Sequence, residues 1–121
     1  MIIIDDVEYD VPIISMRRTA AVLDKYAERT ADGILHREII GVYYNYYLEF
    51  GTITDMQKYA AVWYKLTAPQ EFHTIKLEDE EGMYEFKAYI AGVKDEFVNV
   101  KGTRRYIKKL TANFIAQEPA R

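Results

Sequence analysis

Residues 40–50, Ile-Gly-Val-Tyr-Tyr-Asn-Tyr-Tyr-Leu-Glu-Phe, alternate with a period of two. The even positions Ile40, Val42, Tyr44, Tyr46, Leu48 and Phe50 are all apolar or aromatic. Successive side chains of an extended strand point to opposite faces, so this row predicts a strand with its even face on a core. The odd face is not simply polar, because it carries Tyr43 and Tyr47 beside Asn45 and Glu49. Aromatic rings on a second face exceed what solvation needs. They point to a β protein with an adhesive outer surface, and toward assembly rather than chemistry.

The chain has 121 residues, the length of one domain spanning 1–121. Its 11 tyrosines, 5 phenylalanines and single tryptophan favour pleated, half-buried surfaces and interfaces. A net charge of −3 gives no general attraction for nucleic acid. The local basic group Lys101, Arg104, Arg105, Lys108 and Lys109 reads as a solvated strand face and turn. Absence of cysteine removes disulfides, thiolate nucleophiles and cysteine-bound zinc. The first residues lack the charged start and long apolar run of a signal peptide, and no apolar run approaches the ~20 residues that span a bilayer. The expectation is a soluble protein made in the cytoplasm, with no membrane contact.

Along the chain, Asp5-Asp6 suits a tight turn between two short strands, and Pro12 suits a strand start or an edge. Residues 13–19 alternate. Residues 20–30 read as an irregular or extended excursion, with a helical turn as the alternative. Asp32-Gly33 is a hairpin signal, since glycine accepts the positive φ of such turns. From Ile34 to Phe50 an unbroken strand would reach ~56 Å at ~3.3 Å per residue, longer than a domain of this size is wide. Either Gly41 marks a bend or bulge, or the hairpin projects as an arm. The arm is the reading adopted, because an arm needs a neighbour to cover it.

Residues 54–66 predict the one helix, with a capping box from Thr54 to Gln57 and an apolar stripe at Met56, Tyr59, Ala60, Trp63 and Leu66. Pro69 stops it. Strand patterns follow to the end, with turns at 79–82, Gly92 and Lys101-Gly102. Tyr84, Phe86, Ala88 and Ile90 share a face; Leu110, Ala112, Phe114 and Tyr106 are assigned to the core from the last strand. The fold class expected is α+β, mainly β: an antiparallel sandwich or barrel with one flanking helix and a long hairpin around residues 32–33.

No catalytic constellation emerges. His36 and His73 are the only histidines; neither has metal-ligand spacing, and His73 reads as a lone strand histidine at the surface or in a hydrogen bond. Nucleotide-binding loops and a nucleophile elbow are missing. Glu78 to Glu81 lacks the ligand spacing of a calcium loop. Enzyme activity, a cofactor and a metal are not expected. Stacking of Tyr43, Tyr44, Tyr46 and Tyr47 on single-stranded nucleic acid would need a positive groove, whereas Glu38 and Glu49 flank the cluster.

Several stretches together are familiar. Arg17-Arg18-Thr19, Leu23-Asp24-Lys25-Tyr26-Ala27-Glu28-Arg29-Thr30 and Asp32-Gly33-Ile34-Leu35-His36-Arg37-Glu38-Ile39-Ile40-Gly41 resemble small prophage-encoded tail structural proteins. Tyr44-x-Tyr46-x-Leu48, Leu66-Thr67 followed by Pro69, Phe72-His73-Thr74, Phe86-x-Ala88-Tyr89 and Leu110-Thr111-Ala112-Asn113-Phe114 continue the resemblance, which covers about residues 7–119. The implied relatives are tail-tube and distal-tail β modules of long-tailed bacteriophages. The resemblance implies a ring-forming homo-oligomer in the virion tail, six subunits being one option, that also contacts other tail proteins. Asp32 and Gly33 would form the tip of the arm, and Tyr43 and Tyr47 would lie near the subunit contact. The chain is short for a distal-tail protein. Alternatives are a head–tail joining or tail-terminator protein, and, in another class, a β-barrel module binding nucleic acid or a small ligand.

Overall fold

A computed structural model describes residues 2–100 and 104–121. Seven strands and one helix follow in the order β1 (Ile2–Ile4), β2 (Val7–Tyr9), β3 (Ile13–Arg29), β4 (Leu35–Phe50), α1 (Met56–Leu66), β5 (His73–Asp79), β6 (Gly82–Val100) and β7 (Arg104–Ala116). The strands make one antiparallel sheet in the order β2-β1-β5-β6-β7-β4-β3. The class is α+β, mainly β, with a single helix among the described residues.

The sheet is open, with β2 and β3 as its margins. Yet β2 ends at Tyr9 and β3 begins at Ile13. Four Cα steps span at most about 14 Å, so the two margins must come close together. The sheet therefore curls strongly without its margins pairing. Ion pairing across the curl follows: Arg18 of β3 meets Glu80, next to β5, at 2.8 Å.

Local chemistry explains the turns. Asp5 and Asp6 both have positive φ, 50° and 66°, in a two-residue hairpin between paired Ile4 and Val7; aspartate tolerates that region better than most residues. Asp79 pairs with Gly82 around a second two-residue turn, where the Asp79 carboxylate accepts from the Glu81 N–H at 2.8 Å. Pro12 stands just before β3, as expected, and its carbonyl accepts from Gly51 N–H at 2.8 Å.

The core lies on the face that α1 covers. Leu48, Phe50, Ile75, Leu110, Ala112 and Phe114 are fully buried there. The alternation expected in β4 holds for Tyr46, Leu48 and Phe50, while Tyr44 is half-buried against the core. It does not hold farther out: Ile40 is 54% exposed, because that part of β4 has left the core. In β7 the core position expected of Tyr106 belongs to Ile107. Lys109 has φ 55° at a break in the β6–β7 register, and such a bulge moves the inward side chain from odd to even positions. Gly92 is part of the same irregularity and lies inside β6, so no turn interrupts that strand. The turn expected at Lys101-Gly102 lies outside the described residues.

Helix α1 starts two residues later than its pattern suggested. Asp55, not Thr54, is the N-cap; its carboxylate accepts from the N–H groups of Gln57 and Lys58 at 3.0 and 3.2 Å. The inward stripe is Tyr59, Val62 and Leu66, with Trp63 half-buried and stacked on Tyr59 at 6.0 Å. The Tyr59 hydroxyl donates to Asp95, tying α1 to β6. Burial, aided by that carboxylate, pushes the Tyr59 phenol above its ordinary range.

Candidate assembly surface

Strands β3 and β4 form a hairpin whose register runs from Ile13↔Phe50 out to Arg29↔Leu35. Only Tyr46 to Glu49 of β4 pair onward with β7. The outer part, roughly residues 19–42, is a two-stranded ribbon extending from the sheet. Of residues 20–30, all but Thr30 belong to β3, which resolves the open choice between strand and helical turn. The arm also contains the bulge that was its rival: the register shifts between Leu23 and Asp24, opposite Gly41 and Ile39.

The tip is self-contained. Asp32 accepts from the Thr30 hydroxyl and from Ile34 N–H, and Arg29 donates to the Gly33 carbonyl at 2.7 Å. Gly33 has φ +85°, a conformation strained for any other residue type. The Thr30 hydroxyl and the Ile34 N–H hold the Asp32 carboxyl below its usual range. Halfway along, Arg37 pairs with Asp24 at 2.8 Å across the two strands. These contacts give the ribbon a defined shape.

They do not cover its apolar surface. Val22, Leu23, Tyr26, Leu35, Ile39 and Ile40 are each 46–55% exposed. An isolated two-stranded hairpin is marginal in water, and clustered exposed apolar side chains mark contact surfaces. The sequence pattern missed these residues as a surface, because Ile40 fitted the same even row that is buried farther along. Two adjacent isoleucines, 39 and 40, cannot both serve one core face in a strand; that was the available signal.

Asp32 and Gly33 stand at the tip, as the hairpin signal implied. Tyr43 and Tyr47 lie at the root, half-buried on the face away from α1, paired with Ala21 and Arg17. Tip and tyrosines are not brought together within one chain: Gly33 and Tyr43 are ten residues apart along the arm, roughly 33 Å. The Arg17 guanidinium sits 5.8 Å from the Tyr47 ring centre. Asn45, Asn113 and Ile115 complete a shallow groove there. On the core side, Arg18 lies over Tyr44 and next to a row of rings, Tyr46, Tyr84 and Phe86. The Tyr46 hydroxyl is buried with no partner in hydrogen-bonding geometry. Burial raises the Tyr46 phenol, and the neighbouring Arg18 guanidinium partly opposes the shift.

A second polar cluster escaped the sequence reading. His73 is buried, 2% exposed, where a lone surface histidine was one expectation. Its Nδ1 lies 2.7 Å from Asp5, whose carboxylate also meets Lys65 Nζ at 2.9 Å and Thr74 N–H at 2.8 Å. Burial disfavours the charged form of Asp5, but these donors together outweigh it and hold the carboxyl well below the usual range. The cluster ties the β1–β2 turn to β5 and to the end of α1. Its signal is too scattered for pattern reading, since the partners lie 60 and 68 positions from Asp5.

Lys108 and Lys109 of the basic group both face Glu96, at 3.6 and 3.2 Å. Among the described residues no group of three or more histidine, aspartate or glutamate side chains is arranged to hold a metal ion. Among the described residues no helix is long and apolar enough to cross a membrane.

No family model, curated protein or solved structure matches the chain.

Proposed function

We propose that this protein is a structural subunit of a prophage tail, building a ring or tube through its β3–β4 arm and the tyrosine-bearing face at the arm's root. The observation that carries the reading is the arm: an ordered ribbon with six large apolar side chains about half exposed and, among the described residues, no other element over most of its length. The long unpaired margin of β3 adds backbone groups suited to strand addition from a neighbour. Such contacts are heterologous, so the same two patches repeat around a closed ring.

Magnitudes bear on how such a ring would form. Completing the burial of six half-exposed side chains contributes roughly 5–9 kcal/mol, at about 1.5–3 for a whole one. Association costs about 4–15 kcal/mol in lost freedom. One arm contact is therefore marginal, and each subunit needs a contact on both sides, or a nucleus supplied by another tail protein. Tail position, whether tube, distal end, joining region or terminator, follows from which partner supplies that nucleus.

Light scattering over a concentration series, with electron microscopy of the most concentrated sample, tests the proposal. Rings or short tubes of uniform diameter are expected. A monomer at every concentration that also fails to join rings of a co-expressed tail partner rejects it. A salt-sensitive shift of single-stranded DNA would instead favour a nucleic-acid-binding module.

A further inference from the structure

Residues 117–121 bind back onto the arm. The β4–β7 ladder reaches only Tyr46 and Phe114. Beyond it, the Asn45 side chain replaces a strand partner, its Oδ1 accepting from Ala116 N–H at 3.0 Å. Gln117 N–H turns the other way, to the Lys87 carbonyl at 2.8 Å. Past a bend, pairing with β4 resumes: Ala120 N–H donates to the Val42 carbonyl at 2.7 Å, and Val42 N–H donates to the Arg121 carbonyl at 2.9 Å. Pro119 packs onto Gly41, so closely that a Cβ added there would stand 2.5 Å from the proline Cβ.

That contact explains a glycine which is otherwise out of place. Gly41 does not have the positive φ found at Gly33, Gly82 and Gly92, and glycine inside a strand weakens it. Close approach of another segment is what Gly41 permits here. The strap, the bulge at residues 39–41 and the root of the arm thus coincide.

We propose that residues 117–121 are a releasable strap: they fix the arm at its root and occupy the margin of β4 that a strand from a second copy would otherwise join. Two backbone hydrogen bonds and one proline contact make a small attachment. A strand laid along the same margin offers many more bonds of the same kind, so exchange of the strap for a neighbour's strand is favourable once a neighbour is near. The restraint on the arm stands on the contacts alone; its consequence for assembly rests on the ring reading above.

Hydrogen exchange on the full chain, on a variant ending at Ala116 and on Gly41→Val tests this. Both variants should exchange at least tenfold faster at Val42 and its neighbours in residues 36–44, with α1 and β5 unchanged. Unaltered exchange at Val42 in the variant ending at Ala116 overturns the strap. Equal acceleration throughout α1 and β5 overturns it too, because the segment would then belong to the core. The light-scattering mass of the same samples reports on assembly separately. Greater association of the shortened protein supports exchange with a second copy. Unchanged mass with faster local exchange keeps the restraint and removes that role in assembly.

Discussion

Asp5 accepts from His73, buried 68 positions later in the chain, at 2.7 Å, and this pair closes the β1–β2 turn against the first residue of β5. The same carboxylate takes the Lys65 ammonium from the end of α1 and the Thr74 N–H. A single side chain thus joins three elements. Asp5→Asn keeps a residue that tolerates positive φ but removes the charge. It is expected to cost about 1–3 kcal/mol, the range for hydrogen bonds to charged groups and for buried donors left short of a partner. Urea unfolding would show a lower midpoint with unchanged slope; an unchanged midpoint would mean the cluster is energetically idle.

Acid should act through the same residue. The carboxyl of folded Asp5 lies below its ordinary value, so the unfolded chain binds the proton first as pH falls. Stability from this group is complete above the unfolded pKa, about 3.9, and is lost as pH drops through the folded one. The contribution of Asp5 to the unfolding free energy should be level above about pH 5 and decline below about pH 4. In Asp5→Asn the total acid decline in stability should be shallower. Identical acid limbs in both proteins would assign acid sensitivity elsewhere.

Burial ranks the helix substitutions differently from the stripe read in the sequence. Leu66 is 2% exposed, and Leu66→Ala should cost about 2–5 kcal/mol. Trp63 is only half-buried, so Trp63→Ala should fall below the ~3–5 kcal/mol of a fully enclosed tryptophan. Equilibrium denaturation of both variants checks the order. Trp63 emission should lie between that of a buried indole and that of free tryptophan in water.

At the tip, Gly33→Val meets no steric neighbour, since nothing lies within 4 Å of an added Cβ. The cost is the backbone conformation alone, about 1–2 kcal/mol. Because the tip touches no part of the core, the loss should be local. Amide exchange should quicken at Thr30, Gly33 and Ile34, while the thermal midpoint stays in place. A lowered midpoint would show that the arm is part of the cooperative unit.

Val22 and Ile39 are 47% and 55% exposed on the arm, so Val22→Ser with Ile39→Ser removes apolar surface without opening the core. The double variant should keep its far-ultraviolet spectrum and its melting midpoint. Its self-association, read by sedimentation across a hundredfold concentration range, should weaken at least tenfold. Unchanged association would move the contact away from the arm.

Particular residues mark where pattern reading reached and where it stopped. Tyr46, Leu48 and Phe50 were legible as core, because a strand repeats every two residues whatever lies around it. Asp32-Gly33 was legible as a hairpin turn, because its φ requirement is local. Ile40 was misplaced since alternation does not say where a strand leaves the body. Tyr106 was misplaced since the bulge at Lys109 puts the positions before it out of phase with the even row Leu110, Ala112 and Phe114 that follows. Asp55 took the cap from Thr54 because both residue types cap well, and the chain's entry path chose between them.

The amino-acid order alone decided that this chain forms long strands with one short helix, turns at Asp5-Asp6 and Asp32-Gly33, and an aromatic row in the fourth strand. Each of these depends on neighbours within a few positions, through φ limits, side-chain periodicity and capping. Tertiary structure decided the burial of His73 against Asp5, the curl that brings β2 near β3, the exposed arm, and the seating of Pro119 on Gly41. Those depend on groups tens of positions apart, whose meeting is set by the path of the whole sheet and not by any local preference.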